Sequence, residues 1–139
     1  MRLIDTNILV HAVDDSSPKQ ERAQTVLSYY MGTGRAVVSR QSVAELYSAL
    51  TKAASPKQAS LAAERVLETE GFKKIPVDKV AVSEALSLAG KNNLRRSEIF
   101  DALLAATAKR NGVGIILTEN PKHFERLGME VETLDTATA

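Results

Sequence analysis

The sequence has 139 residues and no cysteine, which removes disulfides, thiol nucleophiles and thiolate metal sites together. Any metal must be held by oxygen ligands or by the two histidines, His11 and His123, which are too isolated for a histidine site. Aromatic residues amount to only 4%, three phenylalanines and three tyrosines, so the core must be aliphatic. No apolar run approaches the ~20 residues of a membrane span, and Asp5 interrupts the N-terminus before a signal-peptide core could form. The expected location is the cytoplasm, with no membrane partner. An excess of charge is missing too. A net charge of +1 argues neither for nor against a polyanionic partner, and only local clusters of basic residues can speak to one.

What remains is the composition of a soluble globular protein, 44% hydrophobic and 25% charged, of a length that closes one core. A single domain over residues 1–139 with one site is expected.

Leu3-Ile4 is an apolar stub that reads as a buried strand, with Asp5 at its carboxyl end. Ser17-Pro18-Lys19-Gln20 reads as a helix start with Ser17 as N-cap, and Gly32-Thr33-Gly34 stops that helix near Met31. Ala36-Val37-Val38 is the second strand. A helix with Val43, Leu46, Tyr47 and Leu50 follows from Ser42, and another from Ser55-Pro56, carrying Leu61, Val66 and Leu67 and closing at Gly71. Lys73 to Val77 gives a weak strand. Asp78 caps a helix with Val82, Leu86 and Ala89 on one face, and Ser97 caps a strong helix through Ile99, Leu103, Ala106 and Arg110 to Asn111-Gly112. Ile115-Ile116-Leu117 is the clearest strand, followed by one helical turn around Phe124 and a last strand from Met129 to Leu134. The tail, Asp135 to Ala139, is expected to fray. Strands alternating with helices predict an α/β fold with a parallel sheet covered on both faces.

In such sheets, ligands and chemistry sit at the carboxyl ends of the strands. Asp5 follows the first strand, Glu45 lies early in the helix after the second, Asp101 lies early in the helix before Ile115, and Glu119-Asn120 follow that strand. Carboxylates gathered in one pocket repel one another, and a divalent cation makes such a cluster tolerable. Oxygen ligands without thiols point to Mg²⁺ or Mn²⁺.

Asp5-Thr6-Asn7, Ser42-Val43-Ala44-Glu45-Leu46, the run from Phe100-Asp101-Ala102 to Ala108, and Leu117-Thr118-Glu119-Asn120-Pro121-Lys122-His123-Phe124 resemble the four motifs of PIN-domain nucleases. Order, spacing and total length match over nearly the whole chain, and a free-standing domain of this size looks most like a VapC-type toxin ribonuclease of a toxin-antitoxin pair. The resemblance implies a three-layer α/β/α fold around about five parallel strands, and a metal-dependent endoribonuclease hydrolysing RNA phosphodiester bonds. It also implies a restraining antitoxin and a homodimer. It assigns Asp5, Glu45 and Asp101 to the metal, Asn120 to the fourth catalytic position, and Thr6, Asn7, Thr118, Glu98 and Glu119 to supporting places around them. The family often has an aspartate where this chain has Asn120. An amide oxygen can ligate an ion but brings no charge, so a second metal would be held more weakly.

Each of these residues also has an ordinary explanation. Glu45 could complete a capping box with Ser42, Asp101 could suit a helix dipole behind a Ser97 cap, Asn120 before Pro121 is a good N-cap, and Asp5 could cap a following helix. Glu98 could be a solvated first-turn residue. For RNA, Arg40, Arg95, Arg96, Lys122 and His123 are the basic candidates for phosphate contacts, with His123 expected at the surface rather than in catalysis. An alternative is a catalytically weak RNA-binding or partner-binding module on the same fold. A phosphohydrolase with Asp5 as nucleophile ranks last, because the usual second aspartate is replaced by Asn7.

Overall fold

The adjacent apolar pairs Leu3-Ile4, Val37-Val38 and Ile116-Leu117 are all wholly buried, one member of each pair on either face of a sheet. Successive side chains of a strand point to opposite faces, so a strand buried on both sides reads as a continuous apolar run. In the computed structural model, which describes residues 1–137, three such strands and two more polar edge strands form one sheet: β1 (Arg2–Ile4), β2 (Ala36–Ser39), β3 (Lys73–Ile75), β4 (Ile115–Leu117) and β5 (Glu130–Glu132). Their order is β3-β2-β1-β4-β5 and every pairing is parallel, with Leu3 opposite both Val37 and Ile116.

Ile4, Val38 and Leu117 face one layer, where they join Ile8, Leu9, Val26, Tyr30, Leu46 and Val66 from the helices α1 (Thr6–Val13), α2 (Gln20–Gly32), α3 (Arg40–Leu50) and α4 (Pro56–Glu68). Leu3, Val37 and Ile116 face the other, against Leu104, Ala108 and Phe124 of α6 (Ile99–Arg110) and α7 (Pro121–Glu125). The helix α5 (Lys79–Lys91) packs on α6 through Ala81, Ala85, Ala102 and Ala106. This is a three-layer α/β/α architecture, and each fully buried leucine or isoleucine in it contributes about 1.5–3 kcal/mol. Among the described residues no helix is long and apolar enough to cross a membrane.

Several local expectations are corrected. Residues 6–13 form a full helix, and Asp5 caps it as its ordinary explanation expects. The helix α2 starts at Gln20 behind Lys19, while Ser17 Oγ accepts the Lys19 N–H at 3.1 Å and pairs with His11 Nδ1 at 2.7 Å. The cap of α3 is Ser39, whose side chain accepts from Gln41 N, and Ser42 is buried inside the helix. The Ser55 capping box and the Asp78 cap are present as expected. On α4 and α5 the buried faces are Ala59, Ala63 and Val66, and Ala81 and Ala85, leaving Leu61, Leu67, Val82 and Leu86 exposed. Small residues let helices approach closely, and the larger ones then point outward. Ser97 lies within a 3₁₀ turn, Arg96–Glu98, that leads into α6 and is not its cap. The tail is tied down as far as Ala137, whose carbonyl accepts from Arg22 Nη2 at 2.9 Å while Leu134 O accepts from Arg22 Nε at 2.8 Å. The expected fraying of Thr138 and Ala139 lies outside the described residues.

Candidate active site

The sheet reverses its order at β1: the chain proceeds outward through β2 and β3 on one side, then returns to place β4 and β5 on the other. A crevice opens where two neighbouring strands send their chains to opposite faces, here at the carboxyl ends of β1 and β4. Asp5 stands at one lip and Thr118 at the other. The Asp5 N–H donates to Leu117 O at 3.0 Å, continuing the ladder by one bond.

The ordinary reading of Asp5 holds and is incomplete. Its Oδ1 caps α1 by accepting the Thr6 N–H at 2.8 Å, while Oδ2 accepts from Thr118 Oγ1 at 2.7 Å and from Asn7 Nδ2 at 3.2 Å. All three donors are neutral, and no cation lies within ion-pair distance of this carboxylate among the described residues. Burial therefore pushes its pKa up to about 6, against the pull of the bonds from Thr118 and Thr6, and the nearby Asp101 and Glu45 push in the same direction as burial.

Glu45 lies on the second turn of α3, too far along the helix to cap it. Its Oε2 accepts from Thr6 Oγ1 at 3.3 Å and its Oε1 accepts from Gln41 Nε2. The capping-box explanation fails because Ser39, three residues earlier than the expected Ser42, ends β2 and takes the cap. Asp101 lies in the first turn of α6, where the helix dipole favours an acid, and its Oδ2 is 3.2 Å from His123 Nδ1. Burial raises its pKa, His123 and Arg126 oppose that, and Glu45 adds to it. Asn120 occupies the N-cap position of α7 without a side-chain capping bond, and its backbone N–H donates to Thr118 Oγ1 at 3.0 Å.

Asp5, Glu45, Asp101 and Asn120, with Thr6 and Asn7, line one open cavity of about 380 Å³. A larger hollow of about 640 Å³ opens at the amino ends of β4 and β5, but Glu84 is the one carboxylate in its lining and none of Asp5, Glu45, Asp101 and Asn120 reaches it. The smaller cavity is the one with chemistry. The donors that Asp5, Glu45, Asp101 and Asn120 bring to it are carboxylate and amide oxygens, with no sulfur, a set that suits a hard cation such as Mg²⁺ or Mn²⁺. Among the described residues no three acidic or histidine side chains stand close enough to enclose an ion by themselves. Mg²⁺ is ordinarily held by one or two carboxylates and completed by water and substrate phosphate, so this open, partly desolvated donor set fits it.

The remaining sequence candidates separate. Thr118 is fully buried and Asn7 bridges both lips, its Nδ2 to Asp5 and, at 3.4 Å, to Thr118 Oγ1, its Oδ1 accepting the Glu119 N–H at 3.2 Å. Glu119 turns away from the cavity: Oε2 meets Lys19 Nζ at 2.5 Å and Oε1 accepts the Leu134 N–H at 2.9 Å. Glu98 is occupied by Arg126 Nη2 at 2.6 Å and by the Arg95 N–H at 2.9 Å, which fixes the turn before α6. Arg40 lines a separate apolar groove between α3 and α4, and Arg95, Arg96 and Lys122 are exposed without lining the cavity.

Three residues of the site escaped sequence reading. His123 holds Asp101, although the spacing of the two residues gives no sign of it. His11 and Lys52 line the cavity. The signal for them was helical phase: His11 follows Asn7 by one turn, and Lys52 follows Glu45 by two.

A family model described as PIN domain matches residues 2–129. No curated protein matches the sequence. Among solved structures, the fold is similar to FitAcB from Neisseria gonorrhoeae (TM-score 0.71, 21% identity, covering 96% of this chain and 98% of that one). It is also similar to VapBC2 from Rickettsia felis bound to a DNA fragment from their promoter (0.71, 18%, 95% and 97%). A third is VapC20 from Mycobacterium tuberculosis, a sarcin-ricin loop cleaving toxin (0.71, 14%, 84% and 87%).

Proposed function

The chain belongs to the PIN domain family, and on that premise we propose that it is a metal-dependent endoribonuclease, the toxin of a VapBC-type toxin-antitoxin pair, acting as a single domain in the cytoplasm. The observation that carries this reading is the meeting of Asp5, Glu45, Asp101 and Asn120, drawn from four separate segments, around one cavity at the switch point of the sheet.

Asp5 and Asp101 would hold the ion directly and Glu45 through water, with the Asn120 amide oxygen as a neutral fourth donor. When bound, Mg²⁺ or Mn²⁺ supplies Lewis acidity to the phosphoryl oxygens and makes water a competent nucleophile at neutral pH. Thr118, Thr6 and Asn7 keep the Asp5 carboxylate aimed through their hydrogen bonds. Glu45, held by Gln41 and Thr6, would accept at its carboxylate the proton released as water attacks the phosphorus in line, while the phosphorus–oxygen bond opposite breaks and the departing ribose oxygen takes a proton from solvent. His123 fixes the rotamer of Asp101.

Partners follow from the same reading. The similarity to VapBC2 and to the VapC20 toxin supports an antitoxin that restrains the enzyme, and the exposed apolar residues Val82, Leu86 and Phe100 support a homodimer. Cleavage of single-stranded RNA in Mg²⁺ or Mn²⁺, lost on chelation and restored by the ion, tests the enzyme. A second reading, an RNA- or partner-binding module without turnover, draws on the neutral Asn120 and on the open spacing of the carboxylates; binding without cleavage across many RNAs in Mn²⁺ would favour it.

A further inference from the structure

The cavity is longer than its carboxylates need. Two helix faces wall it: Asn7, Val10 and His11 on α1, and Glu45 and Ala49 on α3 with Lys52 in the turn that follows. Along α1 these positions are one turn apart, and along α3 they fall at the same repeat, so both walls run away from the acidic end. Val10 and Ala49 give the middle of the groove an apolar lining. At its far end stand an imidazole and an ammonium group.

Neither outer residue is consumed by the fold. Lys52 is exposed and, among the described residues, forms no ion pair with the carboxylates that share its cavity. The His11 ring is held by Ser17 Oγ at Nδ1, at 2.7 Å, which fixes its plane and leaves Nε2 available. Lys52 lies beyond the carboxyl end of α3, seven positions after Glu45, so the two charges stand at different points along this wall.

Resting on the nuclease reading, we propose that Lys52 and His11 form a flanking-phosphate subsite, which binds an RNA phosphodiester next to the one under attack and draws the strand along the groove between α1 and α3. The ammonium group supplies charge and the imidazole a hydrogen bond from Nε2, contacts that position the backbone without reading bases. The pairing of an acidic inner end with a cationic outer end gives the strand a direction: the scissile phosphate sits with the ion, and its neighbour sits at Lys52.

The test is the salt dependence of binding by the full chain to a labelled single-stranded RNA pool of random sequence, measured in the Asp101→Asn background so that nothing is cut. Lys52→Ala should weaken binding several-fold and lower the slope of log K against log salt by about 0.7, the value of one single-strand phosphate contact. Lys52→Arg should restore the slope, and His11→Gln should weaken binding while leaving the slope unchanged. In the parent enzyme, Lys52→Ala should raise KM with kcat within about twofold, as for a lost uniform binding contact. An unchanged slope and KM in Lys52→Ala would overturn the subsite. Failure of the parent to cleave any RNA would overturn the nuclease reading instead, and the salt slopes would still decide whether Lys52 holds a phosphate.

Discussion

Thr118 Oγ1 donates a 2.7 Å hydrogen bond to Asp5 Oδ2, tying the carboxyl end of β4 to that of β1 across the crevice where the sheet order reverses. The same hydroxyl oxygen accepts the Asn120 N–H at 3.0 Å. One buried threonine thus sets the position of two candidate ligands.

Thr118→Val keeps the shape and removes both of these bonds and the one Oγ1 accepts from Asn7 Nδ2. It should destabilise the protein by about 1–3 kcal/mol, the cost of leaving buried polar groups unsatisfied. Metal affinity and RNA cleavage should fall by about 10–100-fold, as for other supporting partners of metal ligands. Thr118→Ser should recover most of both. Chemical denaturation and metal titration check the two effects.

Asp5 predicts a pH dependence of stability. Its pKa is about 6 in the folded protein against 3.8 for an unperturbed aspartate, so the folded state binds the proton more tightly than the unfolded one. Its contribution is fully present below pH 4 and is lost as pH rises through 6. Without added metal, stability should therefore fall across that window by on the order of 1–3 kcal/mol. Asp5→Asn should flatten the curve there. Urea denaturation from pH 4 to 8 measures it. A divalent ion, which needs the ionised carboxylate, should bind more tightly as pH rises over the same range.

Glu119 and Asn120 are neighbours with different tasks. Glu119→Ala should loosen the segment around Leu134, whose N–H it accepts, at a cost of about 1–2 kcal/mol, and leave kcat within about twofold. Asn120→Asp should add a charge to the cavity and tighten Mn²⁺ binding roughly tenfold or more, following the dependence of affinity on ligand charge. Calorimetric titration of both variants tells a structural acid from a ligand position. A loss of metal affinity in Glu119→Ala would reverse the two roles.

Much of the fold could be read from the chain because its signals are local. Val37-Val38 and Ile116-Leu117 are continuous apolar runs, Ser55-Pro56 and Asp78 are caps, and each motif acid sits close to a strand or helix end. What escaped depended on partners distant in sequence. Ser42 has the pattern of a cap, but β2 extends to Ser39, which takes the role. The face of α5 turns on the closeness of Ala81 and Ala85 to α6, and alanine carries too weak an apolar signal to announce it beside Val82 and Leu86. Glu98 and Glu119 looked like site acids by proximity, yet each had a cation waiting, Arg126 and Lys19. His123 is at the surface as expected, with an unforeseen bond to Asp101, and no motif singles out Lys52. Only the folding of α7 toward α6 sets His123 against Asp101, and only the packing of α3 beside α1 brings Lys52 to the cavity.

The central claim is that the cavity shared by Asp5, Glu45 and Asp101 is a metal-dependent nuclease site. The most direct measurement is the rate of single-stranded RNA cleavage in Mn²⁺ by the parent protein and by Asp101→Asn, with circular dichroism to establish that both are folded. Cleavage by the parent, lost on chelation, and a fall of about 100-fold or more in the variant is the expected result, since a ligand should count for at least as much as its supporting shell. A folded Asp101→Asn variant that cuts RNA at an undiminished rate would contradict it.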